Sequence, residues 1–296
     1  MSKRTALVTG ATGFIGHHLC RRLMDQGIHV VGTSRQAQSV DYVHSMEQCD
    51  LGDTKQVDTL FEQVAPDYLF HLASHVKGAR EIDLVMPTFE DNLLSTVNLL
   101  TAAHHNDCKK VVLTGSLEEP QPDNNWSIPS SPYAASKLAA NAYGRMYHSL
   151  YDLPIAILRL FMVYGPEQRD EKKLIPYTIL SLHNGEIPQF SGGGRLVDWV
   201  YVDDVVDAYI ACIESDKADG QVIDIGSGEL VSVKAVVTQI AEHMKATENI
   251  EFGAISERKN EQVRSANLAS AASILNWQPK TSLNEGLKKT IESYIS

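Results

Sequence analysis

Tyr133 and Lys137 stand four residues apart in SPYAASK. On a helix that spacing puts a phenol and an ammonium on one face. A nearby ammonium favours the phenolate, so the tyrosine is expected to have a lowered pKa and to trade a proton near neutral pH. Ser116, upstream in VVLTGSLEE, supplies a hydroxyl that could hold a substrate oxygen. Together these residues suit proton exchange at a carbonyl or alcohol. A tyrosine–lysine pair at this spacing is common, so the rest of the chain must say whether it means anything.

The segment TGATGFIG provides that context. It places Gly10, Gly13 and Gly16 between an apolar run (4–9) and a helix-period stretch opened by Phe14 and Ile15. Gly10 permits a tight turn, Gly13 lets backbone amides approach a pyrophosphate, and Gly16 allows close helix–strand contact. A dinucleotide is therefore expected, and Lys137 could also hold its nicotinamide ribose. The second strand ends in Thr33, Ser34 and Arg35 rather than in an acid. A hydroxyl and a guanidinium suit a 2′-phosphate, which favours NADP with NAD possible. The other reading is that Arg35 covers the adenine or faces solvent. Asp50 either accepts a hydrogen bond from the adenine amino group or caps the helix after it.

These residues need elements to hold them. Strands are expected at 4–9, 29–34, 46–51, 68–73, 110–114 and 154–160, with helices at 14–26, 54–65, 87–105 and 133–151. Strands of continuous apolar residues alternating with helices mean a parallel sheet covered on both faces, a doubly wound Rossmann-type α/β fold. After Gly165 the rhythm breaks. VDWVYV and GQVIDIG read as further strands and 232–245 as a helix. The expected division is a dinucleotide-binding domain over 1–165 and a smaller α/β substrate-binding portion over 166–296, with parts of 197–230 returning to the first.

The chain has 296 residues, 26 Lys and Arg against 37 Asp and Glu, and a net charge of −11. That balance argues against broad binding to nucleic acid or to an anionic membrane. With 43% apolar residues a sizeable core can form. Cys20, Cys49, Cys108 and Cys212 are too scattered for a disulfide framework or a zinc site and read as buried, reduced thiols of a cytoplasmic protein. No metal site is expected: His17–His18 and His104–His105 read as exposed helical histidines, since adjacent helical side chains point apart. Trp126, Trp199 and Trp277 read as packing residues, with Trp199 a candidate for lining a sugar pocket.

The assembled motifs resemble the extended short-chain dehydrogenase/reductase family, the NAD(P)-dependent epimerases, dehydratases and reductases of nucleotide sugars. The markers are TGATGFIG, Asp50-Leu51, HLAS (71–74), Asn92, Ser116, YAASK, RLFMVYGP (159–166), YVDDVV (201–206), IGSGE (225–229) and LNWQP…EGL. The resemblance spans nearly the whole chain. It implies hydride transfer at a sugar carbon, usually carbon 4, with Tyr133 as acid/base, Lys137 as its electrostatic partner and Ser116 as donor to the carbonyl side. It also implies cofactor contacts from Leu51, Leu72, Ala73, Ser74 and Asn92, and a homodimer packed through the helix around 89–100 and the helix carrying Tyr133.

Two acids follow the serine. Glu118 keeps the position at which 4,6-dehydratases of the family carry a proton-abstracting glutamate, but Leu117 stands where some of them have an acidic Asp. GSLEE is closest to the Gly-Ser-x-Glu-Glu of reductases acting on GDP-linked 4-keto-6-deoxy sugars. Glu118 is thus a base, a ligand of a substrate hydroxyl, or a capping acid. Relatives place Asn where this chain has Met162, and Arg where it has Val197. Arg195, two residues earlier and on the same face of a strand, is expected to take over the phosphate role unless it simply faces water. Arg258 in ERKNE resembles a second phosphate ligand; Lys172 and Lys173 read as a solvated run. The expected activity is NADPH-dependent reduction of a nucleotide-linked keto-deoxysugar. The alternatives are a 4-epimerase or 4,6-dehydratase, a reductase of a non-nucleotide carbonyl compound, and a catalytically silent cofactor-binding protein.

Overall fold

A computed structural model describes residues 4–120, 128–247, 250–254 and 263–296. The chain divides into two units, one comprising residues 1–160, 206–223 and 270–277, the other 161–205, 224–269 and 278–296.

In the first unit, TALVT forms β1 (Thr5–Thr9), whose Ala6, Leu7 and Val8 are fully buried. Helix α1 (Phe14–Asp25) follows, then β2 (His29–Ser34) and β3 (Ser45–Gln48). β3 stops short of the expected Leu51 because the chain turns at Asp50, whose carboxylate accepts from the Gly52 amide at 3.0 Å. Helix α2 (Thr54–Val64) leads to β4 (Tyr68–His71). β5 (Lys110–Ser116), α5 (Pro132–Tyr151) and β6 (Ile155–Leu160) complete the expected pattern. Ser131 caps α5 by accepting from the Ala134 amide at 3.1 Å, and Pro132 fills the first helical position, where a missing N–H costs nothing.

The stretch expected as one helix over 87–105 is composite. A 3₁₀ turn (Ile82–Leu84), helix α3 (Val85–Thr88), a π-type turn (Phe89–Leu94) and helix α4 (Ser95–His105) follow one another. Widened turns of this kind are found mostly at functional sites. Here the turn carries Asn92, whose buried amide is held by groups outside the helix, while Ser95 and Thr96 donate back to the carbonyls of Asp91 and Asn92 at 2.7 and 2.6 Å.

The seven-stranded sheet runs β10–β6–β5–β4–β1–β2–β3, where β10 is Val222–Ile225. The pairs β1–β2, β1–β4, β2–β3, β4–β5 and β5–β6 are parallel. The chain builds outward from β1 to β2 and β3, then crosses back to β4 on the other side. Strand order therefore reverses between β1 and β4, and in such sheets ligands bind at the carboxyl ends of the strands beside that reversal.

The second unit has its own sheet, β11–β9–β7, from Leu230–Ser232, Leu196–Tyr201 and Met162–Tyr164. β7 and β9 are parallel, β9 and β11 antiparallel. Helices α6 (Leu174–His183), α8 (Val233–Met244) and α10 (Leu283–Ile295) share a core with it that includes Tyr164, Ile179, Val197, Trp199 and Ile240. Among the described residues, no helix is long and apolar enough to cross a membrane.

Candidate active site

Gly10, directly after β1, has φ +70°, and a Cβ there would lie 2.7 Å from the Ala73 nitrogen. At Gly16 a Cβ would lie 2.0 Å from the Gly10 carbonyl oxygen. Both positions demand glycine for close backbone packing. Gly13 differs: it begins α1 without a side-chain cap, and the Gly10 oxygen, at 3.1 Å, is all that a Cβ there would meet within 4 Å. The first turn of α1, with Phe14 and Ile15, contains no acid. Open space before free helix-start amides, with no carboxylate in the way, fits the pyrophosphate of a dinucleotide.

A buried chain of polar groups fixes this turn against the end of β4. Thr96 donates to the Asn92 carbonyl, so its oxygen accepts from His71 Nε2 at 3.0 Å. His71 Nδ1 then accepts from the Thr9 hydroxyl at 2.7 Å. The Thr9 oxygen in turn accepts from the Leu72 and Ala73 amides at 3.2 and 3.1 Å. Burial, and to a lesser degree the Lys137 charge, push the His71 pKa down to about 3, so the ring is neutral.

The expected cofactor residues divide by what their side chains do. Asn92 Oδ1 accepts from Ser74 Oγ at 3.0 Å and from the His75 amide at 2.6 Å, and its Nδ2 donates to Ser136 Oγ at 3.0 Å. Asn92 and Ser74 therefore join the 74–75 loop to α5. Asp50 does not cap α2; Asp53 does, accepting from the Lys55 and Gln56 amides. Asp50 is exposed and Leu51 half-buried. Ser34 donates to the Gln36 carbonyl. Arg35 is exposed and donates to Asp91 at 3.2 Å. His17, expected to be exposed, is buried, with Nδ1 3.0 Å from the Gly13 carbonyl oxygen.

Ser116, at the end of β5, and Tyr133, in the first turn of α5, are both buried, and the Ser116 side chain acts on the Tyr133 phenol. The Glu118 amide donates to Ser116 Oγ at 3.2 Å. Lys137 lies one turn beyond Tyr133, its Nζ 5.8 Å from the Tyr133 ring centroid and donating to the Thr114 carbonyl at 2.9 Å. The sequence-based expectation of a phenol lowered by that ammonium is not met. Burial pushes the Tyr133 pKa up, Glu118 and Glu119 add to this, and the Ser116 side chain opposes it. Burial is the largest cause, and the ammonium stands over the ring, tied to Thr114. Burial brings Lys137 itself down to about 8, partly offset by Glu119.

Glu118 is half-buried and packs beside Gly78, where a Cβ would lie 3.3 Å from its Oε1. Glu119 is buried and accepts from the Ser116 amide and from Asn141 on α5. Sequence reasoning left it without a role, because two adjacent acids in a loop give no sign of which one turns inward.

The expected substrate residues belong to the second unit. Met162 is half-buried on β7, opposite Trp199. Trp199 is buried and donates to the Val231 carbonyl at 3.3 Å, as a packing residue does. Val197 is in the core. Arg195 precedes β9 by one residue, so the alternation argument does not reach it; its carbonyl accepts from the Val233 amide at 2.9 Å. Lys172 and Lys173 are exposed. Arg258 and Trp126 lie outside the described residues.

A glycine turn after the first strand of a parallel sheet in this order defines the dinucleotide-binding proteins of the Rossmann type. The model of the NAD dependent epimerase/dehydratase family matches residues 6–226, and the chain belongs to that family of enzymes. It is 32% identical to the UDP-glucose 4-epimerase of Mycolicibacterium smegmatis, over 97% of each chain. The structure of UDP-glucose 4-epimerase with UDP-glucose from Thermotoga maritima superposes with a TM-score of 0.88 at 26% identity, covering 98% of each chain. That of MoeE5 in complex with UDP-glucose and NAD gives 0.85 at 31% identity, again over 98% of each.

Proposed function

We propose that the protein interconverts epimers at carbon 4 of a nucleoside diphosphate sugar. The observation that carries this reading is the buried set of Ser116 at the end of β5 with Tyr133 and Lys137 on α5, in the unit that also holds the glycine turn. A bound nicotinamide dinucleotide would supply the hydride acceptor and donor. Ser116 holds the carbon-4 oxygen, and Tyr133 takes and returns its proton. Lys137 keeps a positive charge beside the phenol and orients the ribose. The similarity to two UDP-glucose 4-epimerases along their full lengths supports this net reaction. Dehydration has less support, because Leu117 stands where some family dehydratases carry an acid.

One observation favours a second reading, net reduction of a 4-keto-6-deoxy sugar: Glu118 follows the serine in GSLEE, a segment closest to family reductases. For the cofactor, the end of β2 offers Ser34 and an exposed Arg35 with no acid, which supports acceptance of NADP beside NAD. Arg195 and Arg258 are proposed as pyrophosphate ligands. Leu138 and Leu150, apolar and exposed on α5, support a homodimer.

The test is incubation of purified protein with UDP-glucose and no added cofactor, followed by NMR of the sugar. Appearance of UDP-galactose supports epimerisation. No conversion of UDP-glucose, together with NADPH consumption in the presence of dTDP-4-keto-6-deoxyglucose, would replace it with the reductase.

A further inference from the structure

Glu119 is a carboxylate placed where a carboxylate is expensive. It is 1% exposed, in a loop three residues beyond the end of a strand whose neighbours are apolar. Such a charge persists only when paired and hydrogen-bonded. Its Oε1 accepts from the Ser116 amide at 2.7 Å, and its own amide donates to the Ser116 carbonyl at 3.0 Å. Its Oε2 accepts from Asn141 Nδ2 at 2.9 Å and lies 3.7 Å from Arg159 Nε on β6. Gly115 makes the room: a Cβ there would lie 2.7 Å from Glu119 Oε1.

Asn141 is what gives this network a direction. Tyr133, Lys137 and Asn141 follow one another at four-residue spacing along α5, so they share one face. Glu119 thus grips Ser116 with one oxygen and, with the other, the helix face that presents Tyr133 and Lys137. We propose that Glu119 is a positioning residue, which fixes the Ser116 main chain and the Tyr133–Lys137 face of α5 in one register. Its charge also acts on the site. The charged and titratable groups facing it are Arg159 on β6 and, on α5, Lys137 and Tyr133. Toward Lys137 it opposes the effect of burial and keeps the ammonium protonated. The Lys137 charge in turn helps to lower the pKa of His71 on the neighbouring strand, and that ring is neutral.

This inference rests on Tyr133 and Lys137 as the reacting pair, so Tyr133→Phe is measured beside it. Glu119→Gln keeps the shape and loses the charge. With UDP-glucose as probe, or dTDP-4-keto-6-deoxyglucose with NADPH if that is the compound consumed, kcat should fall roughly ten- to hundredfold with KM little changed. The alkaline limb of kcat should move down by about one pH unit. Without any substrate, the Lys137 titration in ¹³C-lysine-labelled protein should move in the same direction, and Glu119→Asp should restore it in part. A folded Glu119→Gln protein with wild-type kcat and an unmoved Lys137 titration would overturn the proposal. If Glu119→Gln does not fold, Asn141→Ala tests the same tie from the helix side: a drop of about tenfold in kcat at constant KM supports it, and a wild-type kcat overturns it. Full activity in Tyr133→Phe sinks the reading of the site itself. An inactive Tyr133→Phe beside a normal Glu119→Gln sinks only the role of Glu119.

Discussion

Lys137 carries its charge against the pull of burial, which brings its pKa to about 8. If the ammonium is the working form, it is present below that value and lost above it. Turnover should therefore fall on the alkaline side near pH 8, a limb that a kcat–pH profile reads directly. His71 shows the opposite consequence, for stability. The unfolded ring binds a proton near 6.5, the folded one only near 3. Its contribution is whole above pH 6.5 and is withdrawn as the pH falls toward 3, because only the unfolded chain takes up the proton in that window. At pH 5 this removes about 2 kcal/mol relative to neutral pH. Urea midpoints at the two pH values should show the loss, and the imidazole NMR signal of His71 should not titrate down to pH 5. Arg35 is where cofactor choice is tested: Arg35→Asp should raise KM for NADPH at least about tenfold and leave that for NADH little changed. At this scale the sequence displayed Ser116, Tyr133 and Lys137, because the chemistry is in the residue types. It did not display the Thr9–His71–Thr96 chain, whose members meet only across 62 and 25 residues of chain. Nor could it show that Lys137 stands over the phenol ring, since that depends on the Thr114 carbonyl.

Among the elements, the turn between β1 and α1 separates packing from binding. Gly16→Ala would drive a methyl into the Gly10 carbonyl, so thermal stability and dinucleotide affinity should both drop. Gly13→Ala meets little protein, so its melting temperature should stay within about 2 °C of wild type while dinucleotide affinity falls roughly tenfold. Calorimetry and a binding titration on the two variants check this contrast. The strands β1, β2, β4, β5 and β6 and the helices α1, α2, α5 and α8 were legible because their apolar periods are strong. The π-type turn over Phe89–Leu94 was not. Its cause is the Asn92 side chain reaching the 74–75 loop and Ser136, and a periodicity scan reads 87–105 as one helix because it sees only spacing.

For the molecule as a whole, net charge −11 confines anion binding to local devices such as the helix start at Gly13. A dinucleotide that binds only the folded chain should stabilise it by about 2.7 kcal/mol at a hundredfold excess over Kd. Melting curves with NAD and with NADP then rank the two cofactors without any substrate. The parallel sheet could be anticipated from alternating strands and helices. Parts of 197–230 were expected to return to the first unit, whereas the placement of 270–277 there is written in no local motif. We propose Tyr133 as the group that works at carbon 4 of a nucleoside diphosphate sugar. The most direct test is NMR of UDP-[4-²H]glucose incubated with wild-type and Tyr133→Phe protein, no cofactor added. The expected result is UDP-galactose with deuterium kept at carbon 4, and a rate at least about a hundredfold lower in the variant. Conversion at the wild-type rate by Tyr133→Phe would contradict it.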